Sequence, residues 1–386
     1  MSEQQLEREQ RVTPLELFFD LVFVFGFTQV TTVFSDNPTW SGVGHGLLVL
    51  AALWWAWAAY AWLTNTVDPG EALVWGTTLV AMAAMFAAAL AVPETFGRHG
   101  VVFGVAFLIV AVMQLMLYAL SVRGDRDLLQ AILRTAPSSV AGAAFILAAG
   151  FVDGGLKTLI WVVALAVGLF GPLLVGLSGW RVHPAHFVER HGLIVIIAIG
   201  ESLVAIGFGA RGTGLGAAVI LAAVLGFVVA ASFWLAYFDF FTIRAHQLLS
   251  DRSGAPQIAL ARDAYTYLHL PMVAGIVLFA FAMKTTLAHV HDELATVPAV
   301  ALCGGPALYL FAYVALRVRV SHHLGGGRFV AAIACAALVP VALAVPALVA
   351  LSLLAAIWVG LHAYELIWWR EARTETRAQR VPASAS

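Results

Sequence analysis

The chain has 386 residues, of which 61% are hydrophobic and 11% are charged, and its net charge at pH 7 is −1. Ordinary soluble domains carry about 25% charged residues, so this composition excludes a soluble protein. The near-zero net charge gives no sign of a nucleic-acid partner. We therefore expect the lipid bilayer and an unknown small solute or ion as partners, with the oligomeric state open.

Cutting the sequence at glycines, prolines and charge clusters leaves twelve apolar segments, each close to the roughly 20 residues of a membrane-spanning helix. The segments cover residues 14–34, 41–63, 73–92, 99–121, 130–150, 156–178, 190–210, 214–239, 264–287, 298–317, 328–344 and 346–368. The sequence thus predicts an all-α polytopic membrane protein, a helical bundle over residues 14–368. Only Pro340 to Pro346 separates the last two segments, so a helical hairpin and one broken element are both open there.

Lysines and arginines alternate from side to side in step with these segments. With a cytoplasmic N-terminus, 17 of the 21 lie in inner segments, and four lie in outer ones: Arg98, Lys157, Arg211 and Lys284. Both tails, residues 1–13 and 369–386, are therefore predicted to be cytoplasmic. The first apolar run has no small-residue cleavage site, so we expect a retained helix there instead of a signal peptide.

Two parts of the chain resemble each other. Glu16 pairs with Glu189 and Thr28 with Glu201, each pair 173 residues apart. Trp57 pairs with Trp234 and Tyr60 with Tyr237, each pair 177 residues apart. This pattern predicts two six-helix halves of equal orientation, residues 14–180 and 181–368, an arrangement found in transporters. A chance match in a biased composition is the alternative interpretation.

Three carboxylates lie inside apolar segments, where a charged side chain costs about 2.5–3.5 kcal/mol. Glu16 and Asp20 are one helical turn apart, so their repulsion favours a bound proton or a bridging cation. For Glu16, stabilisation of a helix N-terminus is equally open. Glu201 lies between Gly200 and Ser202, whose small size is expected to let another helix approach closely, and it is the leading site candidate.

Other polar residues are candidates for the same site. Asp239 closes the eighth segment, either as a site residue or as an interfacial charge. His269 precedes the helix-kinking Pro271 and suits either a proton relay or a packing role. Four weaker candidates lie near the cytoplasmic ends: Asn65, Asp68, Glu189 and His191.

The spacing of His183, His186 and Glu189 invites a metal interpretation, but Pro184 disrupts the first turn and no HExxH pattern exists. Nucleophile-elbow, P-loop, dinucleotide and CxxC motifs are also missing from the sequence. We therefore expect no metal and no cofactor.

Five motifs together resemble the bacterial low temperature requirement protein A (LtrA) family. They are Glu16-Leu-Phe-Phe-Asp20-Leu-Val-Phe-Val-Phe, Trp54-Trp55-Ala-Trp57, Glu189-Arg190-His191-Gly192 followed by Gly200-Glu201-Ser202, Trp234-Leu-Ala-Tyr237-Phe-Asp239, and His269-Leu-Pro271 followed by Gly275. The resemblance extends through nearly the whole chain. It implies a multi-pass protein of the bacterial cytoplasmic membrane, associated with growth in the cold, and assigns no role to any residue. The tryptophans at 54, 55, 57, 62, 368 and 369 are expected mostly at the headgroup level, with a place in a cavity wall as the alternative for Trp57 and Tyr60.

Three functions are open. A proton-coupled secondary transporter fits the equal halves and the carboxylates, with Asp20, Glu201 and His269 lining a polar cavity. A membrane-embedded enzyme acting on a lipid or isoprenoid would need clustered catalytic groups. A non-catalytic sensor or cold-adaptation factor would use the acidic residues for structural hydrogen bonds. An enzyme is the less expected of these classes.

Overall fold

Helices make up nearly all of the structure, a computed structural model that describes residues 12–66, 72–122, 125–239, 241–321 and 324–368. Within these ranges there are helices and no β-strand, as expected for an all-α fold. The helices are α1 (Pro14–Asp36), α2 (Trp40–Thr64), α3 (Ala72–Ala91), α4 (Gly100–Ser121), α5 (Arg126–Ala149), α6 (Gly154–Leu174), α7 (Pro184–Gly209), α8 (Ala217–Phe238), α9 (Phe241–Ser250), α10 (Gly254–Leu260), α11 (His269–Ala288), α12 (Thr296–Ser321), α13 (Gly326–Ala337), α14 (Val339–Ala342) and α15 (Ala347–Trp368).

Eleven helical segments of the described chain are long and apolar enough to cross a membrane, which confirms a polytopic fold. The exception among the twelve predicted spans is 328–344, where the shorter apolar stretch Gly326–Ala342 is divided into α13 and α14. Pro340 lies at the start of α14 and cannot donate the backbone hydrogen bond that would continue α13. The final region is therefore a short broken element followed by the full-length helix α15.

The ninth span starts earlier than predicted. A continuous helical segment runs from Gly254 to Ala288 and crosses the charged pair Arg262 and Asp263, at which the predicted boundary was drawn. Between α10 and α11 the chain forms a π-helix over Ala261–Tyr267. The last residue of the π-helix, Tyr267, lies four residues before Pro271. In a regular α-helix the ring of Pro271 would clash with the carbonyl group of Tyr267.

The same packing pattern occurs in both parts of the chain. In the first part, α1 packs on α2 and α3, α3 on α4, α4 on α5, α5 on α6, and α2 on α6. In the second part, α7 packs on α8 and α11, α11 on α12, α12 on α13, α13 on α15, and α8 on α15. Two halves that meet at residues 180 and 181 stay a prediction, which this repeated pattern supports.

The first helices of the two parts contact each other directly, α1 against α7. Glu16 approaches His186 and Asp20 approaches Arg190, in each case with partners 170 residues apart. Farther along the same two helices, Thr28 of α1 contacts Glu201 of α7, 173 residues away. A nearly constant difference in residue number means that the two helices run parallel, since an antiparallel pair would have a constant sum.

Candidate functional site

Four ionisable side chains meet at the α1–α7 interface, and we call Glu16, Asp20, His186 and Arg190 the ion cluster. His186 Nε2 lies 3.0 Å from Glu16 Oε1, and Arg190 Nη2 lies 3.1 Å from Asp20 Oδ1. Arg190 Nε is 4.0 Å from Glu16 Oε1, so the guanidinium lies between both carboxylates. All four side chains are buried, with Arg190 at 0% and Asp20 at 1% exposure. The cluster therefore places charge inside the membrane-spanning part of the protein.

Helical spacing explains why these four residues meet. The carboxylates are four residues apart on α1 and the basic residues are four apart on α7, so each pair occupies one face of its helix. Parallel packing then sets acid against base at two successive turns. Glu16 also completes a capping box: its Oε2 accepts a hydrogen bond of 2.8 Å from Thr13 N, while its own N donates to Thr13 Oγ1. Glu16 thus serves both the helix N-terminus and the cluster.

Hydrogen bonds define the protonation of His186. Asn65 Oδ1 accepts from His183 N at 2.7 Å and its Nδ2 donates to His183 O at 3.1 Å, which orients the amide. The same Nδ2 lies 3.2 Å from His186 Nδ1, so Nδ1 is the acceptor. His186 Nε2 then carries the hydrogen and donates to Glu16 Oε2 at 3.2 Å. In this arrangement the imidazole is neutral.

Asp20 has one occupied and one unoccupied carboxylate oxygen. Oδ1 accepts from Trp57 Nε1 at 2.9 Å. Oδ2 is buried and has no hydrogen-bond partner in the described part of the chain. The guanidinium nitrogens of Arg190 also have no hydrogen-bond partner there, although Arg190 lies within ion-pair distance of Asp20. Buried polar atoms in proteins almost always have a partner, so Asp20 Oδ2 is a position for a proton or for another polar group.

The tryptophans of α2 were expected at the headgroup level, but two of them belong to the core. Trp54 and Trp57 are both 0% exposed. Their indole nitrogens donate to buried acceptors, Trp57 to Asp20 and Trp54 to the carbonyl of Thr266 at 2.8 Å. The prediction was wrong for these two because composition alone does not distinguish an interfacial tryptophan from one that pairs with a buried polar group.

Glu201 lies farther along the same interface and contacts two hydroxyls of α1. Thr28 Oγ1 is 2.5 Å from Oε2 and Thr31 Oγ1 is 2.7 Å from Oε1. Each hydroxyl also has a backbone acceptor, Val24 O at 3.2 Å and Thr28 O at 2.9 Å respectively. An ionised Glu201 accepts both hydroxyl hydrogens, whereas a protonated Glu201 donates to a hydroxyl that has turned to its carbonyl. The site can hold either form.

The small residue before Glu201 does not explain its packing. A Cβ placed on Gly200 would have no neighbour within 4 Å, so the expected close approach of another helix at this glycine is wrong. Close approach occurs instead on α11 and α12, where a Cβ on Gly275 would lie 2.5 Å from Gly305 O.

His191 and His269 lie next to the ion cluster in an aromatic group. His269 Nδ1 is 2.8 Å from the carbonyl of Ala264, so Nδ1 carries a hydrogen, and Nε2 is 2.9 Å from Tyr237 Oη. The ring of His191 is 5.3 Å from that of His269 and 4.9 Å from that of Trp57. Both imidazoles are fully buried, so their polar contacts are internal.

The remaining candidates make other contacts or lie outside the described residues. Glu189 is exposed, and its Oε2 accepts from Val12 N at 3.3 Å. Asp239 is half-buried at the C-cap of α8 and is not part of the contacts described above. Asp68 lies outside the described residues. In the ranges that the structure covers, no three His, Cys, Asp or Glu side chains are grouped so that they could hold a metal ion.

Sequence reasoning missed a second buried ion pair. Arg328 on α13 makes two contacts with Glu365 on α15, Nε to Oε1 at 2.6 Å and Nη2 to Oε2 at 3.2 Å. Its Nη1 donates to Ala236 O at 2.9 Å, and its guanidinium carbon lies 4.0 Å from the ring centre of Tyr313. The sequence analysis counted Arg328 only as a cytoplasmic charge. The available signal was that Arg328 begins the segment 328–344 and Glu365 lies near the end of the neighbouring segment 346–368.

Comparison with known proteins supplies a family. A family model described as "Bacterial low temperature requirement A protein (LtrA)" matches residues 11–363. A protein of Rhizobium meliloti (strain 1021) that is described as uncharacterized is 32% identical over 309 residues, which cover 76% of this chain and 74% of that protein. The residues that the family model matches include both helices of the ion cluster.

Proposed function

The chain belongs to the bacterial low temperature requirement A family, and from the charges buried between α1 and α7 we propose that it is a proton-coupled secondary transporter. The supporting observation is Asp20 Oδ2, a buried carboxylate oxygen without a partner in the described ranges, beside a guanidinium. The transported solute would use a path between the two parts of the bundle. The bacterial cytoplasmic membrane, with both chain termini inside, is the location we propose.

Charge balance supports a proton-binding role for the ion cluster. Arg190 is permanently charged, two carboxylates face it, and the hydrogen bonds of His186 describe a neutral ring. With both carboxylates ionised the ion cluster has a net charge of −1, and binding one proton makes it neutral. Each carboxylate has one buried oxygen without a hydrogen-bond partner in the described ranges, but Glu16 accepts hydrogen bonds from Thr13 and His186 whereas Asp20 accepts one, from Trp57. We therefore assign the proton to Asp20. Loading and release thus switch a buried charge.

Glu201 provides a second proton site at a different depth. It lies eleven residues beyond Arg190 on α7, about 16 Å along the helix axis. The two threonine hydroxyls adapt to either protonation state by rotation, so no backbone movement is needed to change its charge. Two sites on one parallel helix pair, where the two predicted halves would meet, support the proposal, since transporters built from repeats bind their substrates and coupling ions at the repeat interface.

The test uses everted membrane vesicles that carry the protein. Respiration acidifies the lumen and quenches an acridine dye, and solutes are then added by class: alkali cations, divalent cations, organic amines, amino acids and carboxylates. We expect at least one class to relieve quenching in wild-type vesicles, because proton exit would be coupled to solute entry. Asp20→Asn should abolish this response while the protein still inserts.

Glu189→Gln is the matched control, because it removes an exposed carboxylate near the same end of α7 and should respond like wild type. Exchange of protons for these solutes is refuted if no class relieves quenching, and the role of Asp20 is refuted if Asp20→Asn responds fully. The family description also suggests a cellular readout, growth at low temperature, in which Asp20→Asn should not replace the wild-type gene.

A further inference from the structure

A cleft separate from the ion cluster opens between α2, α4, α5, α6 and the π-helix. The cleft is half open and encloses about 100 Å³, below the roughly 300–1,000 Å³ of a site that surrounds a whole small molecule, so an occupant would extend beyond it. Much of its wall is aromatic, with Trp55, Trp62, Trp180 and Tyr267 around it. The cleft therefore offers a mainly apolar surface between these helices.

A few polar side chains interrupt this apolar lining. Gln114 on α4 and Ser139 on α5 both line the cleft. Tyr118 also contributes to the wall, but its hydroxyl is buried. An amide and a hydroxyl are therefore the neutral polar groups that a ligand in the cleft could contact.

The charge at the cleft is positive. Arg262 lines it and lies 2.8 Å from Asp263 Oδ1, while Arg319 lies 2.9 Å from Oδ2 of the same carboxylate. Two guanidinium groups around one carboxylate leave a net charge of +1. An anion is the complementary group for Arg262.

The π-helix holds this wall in place. Thr266 accepts two indole hydrogens, from Trp54 Nε1 to its carbonyl and from Trp62 Nε1 to its hydroxyl, both at 2.8 Å. Tyr267 donates to Leu169 O at 2.5 Å. Short π-helical insertions are frequent at functional sites. Because these contacts already exist, the cleft does not need to be formed by its ligand.

We propose that this cleft binds an anionic phospholipid, with the headgroup phosphate at Arg262 and an acyl chain between Trp55 and Trp180. The cytoplasmic orientation predicted for the nearby helix ends places Arg262 near the headgroups of the inner leaflet. The aromatic walls suit hydrocarbon, and the side chains of Gln114 and Ser139 can donate to an ester or phosphate oxygen. This binding site is independent of proton coupling at the ion cluster.

The experiment measures lipid binding to delipidated, detergent-purified protein by native mass spectrometry and by the shift in melting temperature. Phosphatidylglycerol should bind about tenfold more tightly than phosphatidylcholine of the same chain length and give the larger shift. Arg262→Gln should remove that preference, whereas Arg98→Gln, which removes one exposed charge in the α3–α4 loop, should preserve it.

A second variant keeps the test valid if Arg262→Gln does not fold. Ala59 lines the cleft, and Ala59→Phe should fill it and weaken binding of both lipids without requiring a charge change. Equal binding of the two lipids to wild type, or unchanged preference in Arg262→Gln, would overturn the proposal. If inorganic phosphate alone gives the full phosphatidylglycerol shift, the site binds a free anion and the lipid assignment is wrong.

Discussion

Arg190→Gln removes the permanent positive charge of the ion cluster and leaves Glu16 and Asp20 facing each other without it. Arg190 and Asp20 are 0% and 1% exposed, so neither water nor salt screens the change. Breaking a buried ion pair by removing one partner costs about 3–5 kcal/mol. Because Asp20 can take up a proton, we expect the free energy of unfolding to fall by about 3 kcal/mol, the lower end of that range.

Asp20→Asn and the double variant with Arg190→Gln measure the coupling energy between the two side chains. Asp20→Asn leaves Arg190 with Glu16 at 4.0 Å and retains an oxygen that accepts from Trp57, so we expect a loss of about 1–2 kcal/mol. The double variant removes both charges and should be less destabilised than the sum of the single variants, with a coupling energy of about 1–3 kcal/mol.

The assay is denaturant unfolding in detergent micelles, followed by tryptophan fluorescence. Arg181→Gln is the control, because Arg181 pairs with Asp125 at 2.9 Å but its side chain is 68% exposed, and the expected loss is below about 1 kcal/mol. A loss for Arg190→Gln as small as that of the control, or strictly additive effects in the double variant, would refute the buried-pair interpretation.

Three further predictions concern other parts of the molecule. Glu201→Gln keeps one acceptor oxygen for the threonine hydroxyls, so the free energy of unfolding should fall by only about 1 kcal/mol. The variant should nevertheless fail to complement growth in the cold, and full complementation would exclude proton carriage by Glu201. Gly275→Ala should lower the melting temperature through overpacking worth about 1–3 kcal/mol, whereas Gly44→Ala, which meets nothing within 4 Å, should not; equal melting temperatures would contradict the close helix contact. A reporter near Gly124 should read cytoplasmic and one near Asp153 outside; the same side for both would mean that a span was miscounted.

Hydropathy predicted the helical segments well because each must satisfy its backbone internally and present apolar side chains to lipid. The errors lie where polar residues are compensated by distant partners. Arg262 and Asp263 read as a helix boundary, yet the helix continues through them because Arg319 and Arg262 share the Asp263 carboxylate. Such pairing depends on residues 56 positions apart, which no local pattern contains.

The candidate site was predicted in part for the same reason. Asp20 and Glu201 were recognised because an isolated carboxylate in an apolar run has a large desolvation penalty. Their partners were not assigned: Arg190 counted as a cytoplasmic charge, and Thr28 entered only as a position in the internal repeat. The four-residue spacing of Glu16 with Asp20, and of His186 with Arg190, was present in the sequence, but its meaning depends on α1 and α7 being parallel neighbours.

The ion cluster also bears on how the two parts of the bundle hold together. Separately, α1 would carry two carboxylates into the membrane and α7 a guanidinium, and each helix would have to neutralise or hydrate its own charge. Docked in register, they balance most of this charge across the interface, and in the proposed function the remaining charge is the one that a proton at Asp20 neutralises. Attraction across the pair therefore favours assembly, while the residual charge makes the interface sensitive to protonation. An interface that stayed neutral at every pH would hold the two helices together but would not respond to protonation.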